Sequence, residues 1–133
     1  MDGSHEVGKP RILVVDDEAA LRRSLQRGLG RRFDVVVASD GAAGLKALRE
    51  EGPFAAILGD LQMPNMDGLT MLKQAAVIAP ATVRLLFTGT LDAAAVMDSI
   101  LVAGLFRVLY KPAAVADVLL ALEEALNEHA RIG

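Results

Sequence analysis

A chain of 133 residues that is 53% hydrophobic but only 4% aromatic has enough aliphatic side chain for one packed core and too little length for a second domain of ordinary size. Its 14 basic and 17 acidic residues leave a net charge of −3, and nothing in that balance draws the chain to a nucleic-acid backbone, whose binding needs a basic surface. The absence of cysteine excludes disulfides, thiolate metal sites and cysteine nucleophiles, and the longest apolar run, 100–106, is too short to cross a bilayer. Residues 1–9, MDGSHEVGK, are polar and lack the apolar core of a signal peptide. They read as a flexible leader before a domain at 10–131, and the chain is expected in the cytoplasm.

Ile12 to Val15 is the first short aliphatic run, followed by a helical repeat of Leu21, Leu25 and Leu29 with Arg22, Arg23 and Arg27 on other faces. Val35 to Val37 is the second run. Ser39 and Asp40 then offer N-caps for a helix through Leu45 and Leu48 that ends at Gly52-Pro53. After the third run, Phe54 to Leu58, Asp67 can cap a helix through Leu72 and Ala76 that stops before Pro80. Val83 to Phe87 precedes a helix capped by Asp92 and ending near Gly104. Val108 to Tyr110 precedes a last helix with an apolar stripe of Val115, Val118, Leu119, Leu122 and Leu126. The runs are mostly β-branched or aliphatic, as strands buried on both faces are. Five strand–helix units in alternation predict a flavodoxin-like α/β fold, a three-layer sandwich around a parallel five-stranded sheet in the order 2-1-3-4-5.

In such a sheet, ligands bind beyond the carboxyl ends of the strands. Asp16, Asp17 and Glu18 follow the first strand, Asp60 the third, Thr88 the fourth and Lys111 the fifth. Carboxylates gathered at one edge repel one another unless a cation neutralises them. Hard oxygen ligands without histidine or cysteine suit Mg²⁺. A carboxylate beside Mg²⁺ and a lysine can attack phosphorus and carry an aspartyl phosphate, with the ammonium and the Thr88 hydroxyl stabilising the transferring group.

The stretches VVDDE (14–18), LGDLQMPNMDGL (58–69), LLFTG (85–89) and YKP (110–112) resemble, in order and spacing, the four signatures of the response-regulator receiver domain. The resemblance covers roughly residues 10–130. It implies that Asp60 is the phospho-acceptor and that Asp17 binds Mg²⁺ directly, Asp16 largely through water, with the backbone carbonyl of Gln62 as a further ligand. It also implies that Lys111 pairs with the phosphoryl group and that its bond to Pro112 is cis. Met63-Pro64 would shape the loop after the acceptor, and Asp67 would cap the third helix. Gln62 and Thr90 fill positions that tune phosphoryl lifetime in the family. The stretch SILVAGLFRVLYKP (99–112) resembles receivers found beside HD-GYP phosphodiesterase domains or in hybrid sensor kinases.

Two departures stand out. Relatives usually carry Tyr or Phe three residues before the lysine, a ring that swings inward when the threonine moves, and this chain carries Val108. Alternation places Phe106, Val108 and Tyr110 on one face, so a neighbouring ring is a candidate substitute. Gly59, before the acceptor, is smaller than its counterpart in relatives and is expected to loosen local packing.

The reading is a signalling switch, not a dedicated enzyme, phosphorylated by a sensor histidine kinase or a histidine phosphotransfer protein. An output domain, a partner protein or a second copy of the chain would read its state, with no direct contact to nucleic acid or membrane. Val108 keeps an alternative open, a phosphate-independent interaction or dimerisation module. A haloacid-dehalogenase type of hydrolase would require an Asp two residues after the nucleophile, where Gln62 stands. Arg22, Arg23, Arg27, Arg31 and Arg32 form either a docking patch for an acidic partner or a solvated face. His5 and His129 carry no assigned chemistry.

Overall fold

A computed structural model describes residues 8–90 and 92–132. Residues 1–7 of the expected leader, His5 included, lie outside the described residues. Its last residue, Lys9, is half-buried, with Nζ donating to the Gly30 carbonyl at 2.8 Å.

The elements alternate without interruption: β1 (Arg11–Val15), α1 (Ala19–Leu29), β2 (Asp34–Ala38), α2 (Gly41–Glu50), β3 (Ala56–Gly59), α3 (Gly68–Ile78), β4 (Val83–Thr88), α4 (Ala93–Ala103), β5 (Arg107–Tyr110) and α5 (Val115–Ile132). The strands form one parallel sheet in the order β2-β1-β3-β4-β5, the flavodoxin-like sandwich that the alternation predicts. Successive side chains of a strand point to opposite faces, so each central strand feeds two cores. Leu13, Val15, Ile57 and Leu86 pack with Leu45, Met71, Leu72 and Val96 from α2, α3 and α4. Ile12, Val14, Leu58, Leu85 and Phe87 pack with Leu25, Leu29, Val118 and Leu122 from α1 and α5.

Burial on both faces holds for β1, β3 and β4 but fails for the edge strands. Most of β2 is half-buried, and Arg107 and Tyr110 of β5 are exposed. An edge strand has a neighbour on one side only, so its side chains are covered less completely. The alternation expected across 106–110 holds for Val108 and Tyr110, which both face α4, and breaks at Phe106. Val108 joins the α4-side core, whereas Phe106 packs on the α5 side with Leu109 beneath the Arg107 guanidinium. Phe106 precedes β5, and a pleat constrains only residues inside the strand.

Three helices start as expected: Asp40, Asp67 and Asp92 each accept a hydrogen bond from the backbone N–H three residues on. Ser39 is exposed and leaves the capping of α2 to Asp40. α4 ends at Gly104, whose φ of 64° suits glycine. The expected loosening at Gly59 is absent because Met71 fills the space: a Cβ there would lie 2.6 Å from the Met71 Cε.

Candidate functional site

The carboxyl ends of β1, β3, β4 and β5 lie side by side, and each delivers one group. Asp16 leaves β1 with its N–H donating to the Ala38 carbonyl. Its carboxylate is almost wholly buried: Oδ1 accepts from the Glu18 N–H at 2.9 Å and Oδ2 from Lys111 Nζ at 2.8 Å. Asp60 leaves β3 with its N–H donating to the Val15 carbonyl, which locks it beside Asp16. Its Oδ2 accepts from Lys111 Nζ at 3.1 Å and its Oδ1 from the Gln62 N–H at 3.4 Å. Lys111 leaves β5 with its N–H donating to the Thr88 carbonyl, its ammonium 5.7 Å from the Phe87 ring centroid, and a cis bond to Pro112.

A third carboxylate, Asp17, follows Asp16 and lies on the solvent side. It is exposed and makes no hydrogen bond or ion pair among the described residues. Ligand atoms of Asp16, Asp17 and Asp60 all lie within 4.8 Å of one another. Burial works against the Lys111 ammonium, but the hydrogen bonds and negative charges of Asp16 and Asp60 outweigh it, so its pKa is raised. One ammonium thus holds together carboxylates that would otherwise repel. The donor set, all oxygen with Asp17 free, fits a hard divalent cation such as Mg²⁺.

Thr88 is fully buried and pairs with Tyr110 across the β4–β5 register. Its hydroxyl accepts from the Thr90 N–H at 3.2 Å, and the Thr90 hydroxyl accepts from the Asp92 N–H at 3.2 Å, so two hydroxyls in series shape the turn into α4. Val108 lies opposite Leu86, half-buried against the α4-side core. Gln62 is exposed, and its N–H points to the Asp60 carboxylate.

Three features of the site escape a reading of the sequence. Glu18 looks like a cap for α1, yet it makes no side-chain cap bond and its carboxylate meets Lys111 at 3.3 Å. Arg22 Nη1 donates to the Asp16 carbonyl at 2.7 Å and ties α1 to the loop. Gly68 brings α3 so close that a Cβ would lie 1.9 Å from the Asp60 carbonyl oxygen, while its N–H donates to the Leu61 carbonyl. The glycine after Asp67 is the visible trace of that approach. Asn65, at φ 70°, turns the loop between them.

A family model described as the response regulator receiver domain matches residues 12–123. The chain is 43% identical over 67 residues, half of its length, to the transcriptional regulatory protein PrrA of Mycobacterium tuberculosis. It is 37% identical over 107 residues, 78% of its length, to protein-glutamate methylesterase/protein-glutamine glutaminase 3 of Rhodopseudomonas palustris. It spans only 28% and 29% of the lengths of these two curated relatives. Among solved structures it is similar to a CheY-like response regulator receiver domain protein from Methanospirillum hungatei, with TM-score 0.89, 28% identity, and 95% and 100% of the two chains covered. It is also similar to the signal receiver domain of an HD domain-containing protein from Pseudomonas fluorescens, with TM-score 0.88, 29% identity, and 92% and 98% covered. Among the described residues, no helix is long and apolar enough to cross a membrane.

Proposed function

The chain belongs to the response-regulator receiver family, and from that premise we propose that Asp60 is its phospho-acceptor, served by Lys111, Thr88 and a Mg²⁺ site at Asp16, Asp17 and Asp60. The observation that carries this reading is the position of Lys111 Nζ, within hydrogen-bond reach of both Asp16 and Asp60. Bound there, with the Gln62 backbone carbonyl as a further ligand, Mg²⁺ would neutralise charge on the transferring phosphoryl group.

The chain's own residues then have separable tasks. A carboxylate oxygen of Asp60 forms the new P–O bond as the P–N bond to a donor phosphohistidine breaks, and the electron pair leaves with the imidazole nitrogen. The Gln62 N–H, now on Asp60 Oδ1, orients the nucleophile. Lys111 exchanges part of its contact with Asp60 for a phosphoryl oxygen, and the Thr88 hydroxyl donates to another. Drawing Thr88 toward the phosphoryl group strains its bond from Thr90, the first link of the turn that starts α4. The phosphorylated state therefore favours a different placement of the β4–α4 and β5–α5 units.

The donor on this reading is a sensor histidine kinase or a histidine phosphotransfer protein in the cytoplasm. An output domain or partner protein reads the switch, and residues 1–9 act as a leader to a domain at 10–131. Thr90 and Gln62, which line one groove with Asp17, set the phosphoryl lifetime, while Val108 leaves the site without a ring at that point of β5. The test is ¹⁹F NMR of the protein with beryllofluoride, a phosphoryl mimic. A bound resonance that needs Mg²⁺ and disappears in Asp60→Asn is expected, and its absence from folded wild-type protein with Mg²⁺ would overturn the reading.

A further inference from the structure

Five arginines fall between Glu18 and Asp34 with no carboxylate among them, in a chain whose net charge is −3. The structure sorts them. Arg22 is engaged by the Asp16 carbonyl, and Arg32 forms a two-pronged pair with Glu123 of α5. Arg23, Arg27 and Arg31 are exposed and have no hydrogen-bond or ion-pair partner among the described residues. Arg23 and Arg27 stand one turn apart on α1 and flank a shallow cleft of about 240 Å³ beside Gln26. Like charges at that spacing weaken a helix, so an uncompensated pair is a cost with no return inside this fold.

The opposite surface lies elsewhere on the same molecule. An open groove of about 660 Å³ runs between the β3–α3 and β4–α4 loops, floored in part by Leu61 and Met63 and rimmed by Asp17, Asp67, Asp92 and Asp98. Among the described residues, no lysine or arginine lines it. Asp67 and Asp92 are held as helix caps, while Asp17 and Asp98 are free of hydrogen bonds and ion pairs among the described residues.

We propose that these surfaces are the two halves of a head-to-tail contact between copies of this chain, the Arg23–Arg27 face of α1 in one copy seated on the Asp17–Asp98 groove of the next. The apolar floor receives the methylene stems of the arginines, and the rim carboxylates receive their guanidinium heads. The two surfaces are different patches, so the contact is heterologous and each copy keeps one half unused at either end of a short chain. A second copy is favoured over an unrelated acidic partner because both complementary halves are present on one molecule.

The test is sedimentation equilibrium of the full chain, in EDTA so that Asp17 is left to the groove, at ~0.02 M and ~0.3 M salt. Wild type is expected to gain mass with concentration at the low salt and to return to the monomer at the high salt. Arg23→Glu with Arg27→Glu, and separately Asp98→Lys, change exposed side chains without internal partners, and circular dichroism checks that both variants fold. Each alone is expected to weaken association at least about tenfold, because a charge contact turns repulsive. Mixed together they are expected to form a one-to-one complex, since the first retains the groove and the second retains the arginine face. Wild type that stays monomeric up to ~1 mM at low salt, variants that associate like wild type, or a mixture that stays monomeric would each overturn the proposal. Duplex DNA that binds monomeric wild type through Arg23 and Arg27 would also overturn it, and would assign the arginine face to a nucleic acid.

Discussion

Replacing Lys111 by methionine removes the only ammonium that lies, among the described residues, between Asp16, Glu18 and Asp60. Its side chain is 16% exposed, and the carboxylates of Asp16 and Asp60 are 3% and 9% exposed, at 2.8 and 3.1 Å. Breaking a buried pair by removing one partner costs about 3–5 kcal/mol, because the other charge stays buried without compensation. The contact to Glu18, whose side chain is 63% exposed, adds little. Water reaches the site through exposed Asp17, so the lower end applies, and we expect a loss of about 3 kcal/mol in EDTA. Mg²⁺ should return part of it. A cation binding the native state at about ten times its Kd adds about 1.4 kcal/mol, and Lys111→Met lacks the ammonium that competes for the same oxygens. Urea unfolding followed by circular dichroism, with EDTA and with Mg²⁺, measures both quantities. A variant within ~0.5 kcal/mol of wild type in EDTA, or a Mg²⁺ gain equal in the two proteins, would refute the view of Lys111 as the internal counter-ion.

Gly68→Ala places a methyl group on the Asp60 carbonyl, where nothing flexible can yield, and should cost about 3 kcal/mol in urea unfolding. Gly89→Ala, whose nearest neighbour would be the Lys111 Cβ at 3.9 Å, is the matched control and should stay within ~0.5 kcal/mol. The raised pKa of Lys111 means that its stabilisation is complete below its ordinary value of 10.5 and is lost only as the pH climbs past 10.5 through the folded value. The stability gap between wild type and Lys111→Met should therefore be level from pH ~7 to ~9 and close above 10.5; a gap that closes below pH ~9 would contradict the assigned contacts. Arg84, whose pKa burial lowers, has no carboxylate partner among the described residues and donates instead to the carbonyls of Ala103 and Thr82 at 2.8 and 3.0 Å. Arg84→Met should free the end of α4 and speed amide exchange at 101–104, at a cost of ~2 kcal/mol; unchanged exchange would show that α4 is anchored elsewhere.

The central strands were legible because burial on both faces leaves an unmistakable run such as Ile12 to Val15, and the topology follows from strand–helix alternation. The meeting of Asp16, Asp60 and Lys111 was legible for a related reason: each is the first polar residue after such a run, and parallel strands end at one edge. What was not legible depends on contacts between distant segments. Glu18 and Lys111 are 93 residues apart, and nothing local separates a helix cap from an exposed carboxylate that reaches across to a lysine. The face taken by Phe106 depends on where β5 begins, one residue later, which periodicity cannot locate. The role of Met71 in filling the space above Gly59 is a packing fact across two elements. Gly68 announced a tight place, but not that its neighbour is the backbone of Asp60.

The most direct test of the central claim is intact-mass spectrometry after incubation with acetyl phosphate, with and without Mg²⁺, on wild type and Asp60→Asn. A single labile phosphoryl adduct that requires both Mg²⁺ and Asp60 is expected. An adduct that persists in folded Asp60→Asn, or that forms equally well without Mg²⁺, would contradict the assignment of Asp60 as the acceptor in a metal-assisted transfer.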